Sequence, residues 1–127
     1  MENLFIEPGN KTPQVSCNLQ EGLIEFRGRS IPENSIEFYN PVLEWIDRYT
    51  GQPLTKTNVH IHLEYFNTSS SKCLLDILKK LQQIHQSGRS EVLITWFYDQ
   101  DDEDMLEAGE DYQAIIRIPF SMKKVQA

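Results

Sequence analysis

The chain has 127 residues, enough for one domain with a buried core and too few for two of ordinary size. Hydrophobic residues at 39% and charged residues at 24% are the usage of a folded soluble chain and exclude a disordered or fibrous one. Twelve Lys and Arg against nineteen Asp and Glu give a formal net charge of -7, and the basic residues are scattered, which excludes a phosphate-neutralising nucleic-acid surface.

Cys17 and Cys73 are the only cysteines and form no paired motif, which fits a reducing compartment. The segment Met1 to Pro8 has neither the basic start nor the apolar run of a secretory signal, and no apolar stretch approaches the roughly 18 residues of a membrane span. A cytoplasmic protein with no membrane partner is expected, folded as one domain over 1–127.

In chain order, Leu4 and Ile6 alternate before Pro8-Gly9. Val15, Cys17 and Leu19 then alternate up to a turn at Gln20-Glu21-Gly22, and Ile24 and Phe26 continue the period, predicting a β-hairpin with one buried face. Asn34 with Glu37 three residues on forms a capping-box-like helix start, and Asn40-Pro41 offers a second, so the helix is expected to bend or restart there. Val42, Trp45, Ile46 and Tyr49 supply its apolar stripe, and Gly51 with Pro53 ends it.

From Asn58 to Phe66, Val59, Ile61, Leu63 and Tyr65 alternate with His60, His62 and Glu64, the pattern of a strand packed on one face. It runs into Asn67-Thr68-Ser69-Ser70-Ser71, a cluster of capping residues, and then into Leu74, Ile77, Leu78, Leu81 and Ile84 at helical spacing, with Gly88 as the stop. Glu91 to Tyr98 is dense in β-branched and aromatic residues and reads as an inner strand. The acidic stretch from Asp99 to Asp111 reads as a loop with a short helix. Ala114 to Phe120 reads as the last strand, and the tail 122–127 is expected to fray.

Strand, helix and strand over Asn58 to Tyr98 imply a parallel pair joined by a crossover. The expected fold class is α/β: a mixed sheet with an N-terminal β-hairpin and helices mainly on one face. The Thr68 loop then lies at the carboxyl end of a strand, where such sheets usually carry function.

A hydroxyl at a helix start has two readings. Thr68, Ser69 or Ser70 caps the helix by accepting a backbone N–H, or one of them is a phosphorylation site, because the free N–H groups and positive dipole end accommodate a dianion without unfolding the helix. The run Tyr65-Phe66-Asn67-Thr68-Ser69-Ser70-Ser71-Lys72 with Leu75-Asp76-Ile77-Leu78 resembles the signature of SiaC-like regulatory phosphoproteins. Ile31 to Ser35, Leu43-Glu44-Trp45, His85 to Gly88, Trp96-Phe97-Tyr98 and Asp104 to Asp111 extend the likeness from about Leu4 to Phe120.

That resemblance implies a STAS-like fold, related to anti-sigma-factor antagonists, with Thr68 as the phosphoacceptor. It implies a cognate protein kinase and a PPM-type phosphatase as partners, and a client such as a diguanylate cyclase that the unphosphorylated form binds, raising cyclic diguanylate and biofilm growth. No catalytic residue, cofactor or metal is implied. The free protein is expected to be a monomer.

Around Thr68, Asn67, Ser69 and Ser70 are expected to shape the loop and contact partners, and Lys72 to contact a partner or a phosphate. Met105, Glu107 and Glu110 are expected on a partner-binding edge. His60, His62 and Glu64 are read as a solvated sheet face rather than a metal site, and the acidic run lacks the glycine of a calcium loop. His85 is expected to complement its helix dipole. A small-ligand sensor that takes an anion at the Thr68 helix start is the alternative function.

Overall fold

The computed structural model describes residues 1–126 of the chain. Six strands form one sheet in sequence order: β1 (Leu4–Ile6), β2 (Gln14–Asn18), β3 (Leu23–Ser30), β4 (Lys56–Phe66), β5 (Glu91–Asp99) and β6 (Phe120–Val125). The first three pair antiparallel, with Val15 opposite Phe26 across the expected hairpin. β3, β4, β5 and β6 pair parallel, each joined to the next by a helix: α1 (Ser35–Gly51), α2 (Thr68–Gln86) and α3 (Glu103–Ile115). This is the expected mixed α/β class.

One sheet face and one side of every helix build a single core. Val15, Ile24, Phe26, Val59, Ile61, Ile94 and Trp96 meet Val42, Trp45 and Ile46 of α1, Leu74, Ile77, Leu78 and Leu81 of α2, and Met105 and Tyr112 of α3. The other face carries Glu25, His60, His62 and Phe97, half exposed, with His60 3.8 Å from Glu25 and His62 3.9 Å from Asp99. Alternation along each strand sorts the two faces, because successive side chains of an extended chain point opposite ways.

Several local expectations are corrected. α1 does not restart as a separate helix: Asn34 caps it by accepting Glu37 N–H at 3.1 Å, and it continues through Pro41. Pro41 is exposed, so its ring faces water while Tyr39, Val42, Trp45 and Ile46 hold the turn from the core side. In β4, Tyr65 is 55% exposed and Phe66 takes the packed place, its ring 6.2 Å from Trp96. The register shift between Gly28 and Arg29 on neighbouring β3 breaks the period there.

Ala114 and Ile115 end α3 rather than begin a strand, and the last strand is Phe120–Val125, so Met122 to Val125 of the expected frayed tail are paired, while Ala127 lies outside the described residues. Parallel bonding to β5 supplies what the polar run Ser121 to Lys124 lacks in apolar alternation. His85 accepts Val92 N–H on Nδ1 at 3.1 Å, tying the end of α2 to β5 instead of only facing the helix dipole.

Candidate functional site

β4 ends at Phe66, and the chain turns directly into α2. Asn67 is the N-cap: its backbone is extended and its Oδ1 accepts Ser70 N–H at 2.9 Å. Neither Thr68 nor a serine is needed as the cap, which removes the commonest structural reason for a hydroxyl here. Asn67 N–H also donates to Ser30 O at 3.0 Å, fastening the loop to the end of β3.

The four consecutive hydroxyls after Asn67 meet different fates. Ser70 is fully buried; it donates to Ser30 O at 3.1 Å and accepts from Ser30 Oγ at 2.8 Å. Ser30 in turn meets Tyr39 OH at 2.6 Å, and burial pushes that phenol up to about 12. Ser71 Oγ lies 2.8 Å from Tyr112 OH, which donates to Ser71 O at 2.9 Å, so the serine is the donor of that pair. Ser69 Oγ is exposed but bound at 2.7 Å to Ser35 Oγ, on the first turn of α1. Thr68 alone is exposed with no hydrogen bond to its Oγ1 among the described residues.

Thus Thr68, Asn67, Ser69 and Lys72 come together on the surface at the start of α2, with Lys72 exposed one turn on. Glu107 and Glu110 are exposed on α3. Ser70 is a correction, since it is fully buried inside the hydroxyl cluster; Met105 packs against the core at 6% exposure, with its carbonyl accepting Trp96 Nε1–H at 3.0 Å. The Ser70 side chain is no surface contact, whereas Met105 lines a shallow cavity between the end of β4 and α3. The serine follows the cap inward, and the methionine is the first inward position of α3, whose cap Asp102 accepts Met105 N–H at 3.0 Å.

Along α3, two shallow cavities of about 300 and about 330 Å3 open against the end of β4 and the first turns of α2, sharing Phe66 and Ala108. Tyr65, Leu75 and Ile115 add apolar surface, and Glu64, Asp104 and Asp111 rim it with negative charge. Ile115 is 59% exposed, an uncovered aliphatic group at one edge.

The family model for SiaC family regulatory phosphoproteins matches residues 6–125. This chain belongs to the SiaC family. A protein of Pseudomonas aeruginosa strain UCBPP-PA14 is 33% identical to it over 123 residues, 97% of each chain. The crystal structure of apo-SiaC from Pseudomonas aeruginosa superposes with a TM-score of 0.89 at 32% identity, covering 97% of this chain and 99% of that one. SiaC from the same organism, in complex with the diguanylate cyclase SiaD that it activates, superposes with a TM-score of 0.90 at 33% identity, covering 96% of this chain and 99% of that one.

In this SiaC-family chain, several residues that hold the site in place carry no motif of their own. Ser30, Ser35 and Tyr39 come from the β3 and α1 region, 32 to 40 residues from their partners in the loop, or 9 for the Ser30 and Tyr39 pair. The one local signal was a polar residue, Ser30, at an inward strand position. Gly109 lets α3 lie close on β5: a Cβ there would stand 2.5 Å from Trp96 Cδ1 and 2.6 Å from Met122 Cε. Its place in the Asp104 to Asp111 stretch therefore has a packing reason.

Proposed function

We propose that this chain is a non-enzymatic partner-switching protein whose hold on a client is set by reversible phosphorylation of Thr68. The observation that carries this reading is the sorting of the hydroxyls: in a run of four, only Thr68 is both exposed and unengaged. A kinase needs an acceptor oxygen that reaches its active site without first breaking a buried hydrogen bond, and Thr68 meets that requirement.

A phosphoryl group adds about -1.5 to -2 charges at neutral pH. The start of α2 tolerates it, because unpaired N–H groups and the positive dipole end face it and Lys72 lies one turn on. The adjoining apolar groove is the surface we assign to the client. A partner that packs on Tyr65, Leu75 and Ile115 would have to desolvate a dianion at the edge of the contact, a cost that opposes docking while the domain stays folded. A cognate kinase and a PPM-type phosphatase would set and remove the group, and a diguanylate cyclase is the client that family membership supports, since the related SiaC is an activator of one.

Titration of the client with wild type, Thr68→Ala and Thr68→Glu tests the reading. Wild type and the alanine variant should bind alike, and the glutamate variant at least about tenfold more weakly, the equivalent of about 1.4 kcal/mol. Melting temperatures should agree across all three. Equal affinity of the alanine and glutamate forms contradicts the switch.

A further inference from the structure

Accessibility alone does not single out the acceptor, since Thr68 and Ser69 are neighbours and both exposed. What separates them is chiefly Ser35, since the other bond of Ser69 Oγ is a long donation to Asn67 Oδ1 at 3.3 Å. The Ser35 side chain belongs to a different helix, is 3% exposed, and lies 2.7 Å from Ser69 Oγ, 3.3 Å from Ser70 Oγ and 3.5 Å from Asn67 Oδ1. The contact with Ser69 is the short one. To act as an acceptor Ser69 would have to swing away, leaving a buried hydroxyl with two long contacts, and abandoning a buried polar group costs more than a surface bond gains. Thr68 makes no such bond and has nothing to give up.

We infer that Ser35 is a specificity-determining residue of the switch: by engaging Ser69 it directs phosphorylation to Thr68. The inference rests on the proposed function above. In the transfer, a nucleoside triphosphate held by the kinase supplies the γ-phosphoryl group. The bond from threonine Oγ1 to phosphorus forms as the bond to the bridging oxygen breaks, the nucleoside diphosphate leaves with the electron pair, and the hydroxyl proton passes to a base on the kinase. Ser35 touches none of these atoms and is a positioning residue. Its effect is on which hydroxyl is offered.

The test is site occupancy. Full-length wild type, Ser35→Ala and Ser35→Thr are phosphorylated by the purified cognate kinase with ATP, and peptide mapping gives the ratio of phosphate on Ser69 to phosphate on Thr68. The alanine variant should raise that ratio by about tenfold, the upper end of what one neutral hydrogen bond is worth. The threonine variant keeps the oxygen and should restore the wild-type ratio. A merely structural loss would slow both sites together and leave the ratio unmoved.

An unchanged ratio in Ser35→Ala, with wild type modified at Thr68, overturns this inference alone, and so does an equal rise in the alanine and threonine variants. Wild type modified at neither residue overturns the proposed function and this inference with it. Should Ser35→Ala fail to fold, Ser35→Cys keeps the volume with a much weaker hydrogen-bonding group and should raise the ratio in the same direction; an unchanged ratio there overturns the inference.

Discussion

Two hydroxyl ladders tie α1 to the sheet, one at each end, and they differ in where they stop. At the amino end of β4, Tyr49 OH meets Thr57 Oγ1 at 2.7 Å and Thr57 Oγ1 meets Ser90 Oγ at 2.6 Å, and all three side chains are buried. At its carboxyl end, Tyr39, Ser30, Ser70 and Ser35 are linked in the same way, but the ladder comes out to water at Ser69, beside Thr68. The chemistry is alike, but the sealed ladder takes a helical residue from α1 alone, while the open one also takes Ser70 from α2. A sealed ladder only holds the core, whereas an open one also fixes the surface on which a modification can act.

The comparison can be broken most strongly with alkali. Tyr39 of the open ladder has a pKa raised from 10.0 to about 12, chiefly by burial, so the folded state keeps a proton that the unfolded chain has lost. Its contribution is intact below pH 10 and is lost as pH rises through 12, about 2 to 3 kcal/mol at about 1.4 kcal/mol per unit. Cys17, raised from 9.0 to about 12 by burial, acts with the same sign. Denaturant unfolding at several pH values should show this decline, and Tyr39→Phe should start less stable and decline less steeply between pH 10 and 12.

Thr57→Val probes the sealed ladder. It removes the middle hydroxyl and leaves Tyr49 OH and Ser90 Oγ without that partner, at a cost of about 2 kcal/mol in urea unfolding. Client binding and Thr68 modification should not change. If they do, the two ends are coupled and the contrast between them fails. The smallest effect is expected from Ser69→Ala, about 1 kcal/mol in urea unfolding, because it takes from the buried Ser35 hydroxyl its short partner and leaves two longer ones. It should leave phosphate on Thr68 at the wild-type rate, which separates a loop that offers Thr68 from one that needs both hydroxyls.

Much of this was legible in local sequence. Period-2 alternation marked β2, β3 and β4, β-branched and aromatic density marked β5, the 3.6 period marked α1 and α2, and the Asn-Thr-Ser-Ser run placed a helix start at the end of a strand. The run could not say which hydroxyl would be free. Ser69, Ser70 and Ser71 are equivalent by propensity, and what distinguishes them lies on β3, α1 and α3. Ser70 faces inward for that reason: its partner Ser30 lies on β3, 40 residues away.

What the sequence by itself determined was therefore the set of elements and their amphipathic faces, since these follow from residues a few positions apart and from the geometry of strand and helix. Tertiary structure alone decided that β6 forms from a polar tail, because its hydrogen bonds belong to β5. It also decided that Thr68 is the exposed hydroxyl of the run left without a partner. Among the described residues no buried side-chain polar atom lacks a partner, and it was satisfying those buried groups, across gaps of 9 to 41 residues, that consumed every other hydroxyl in the run.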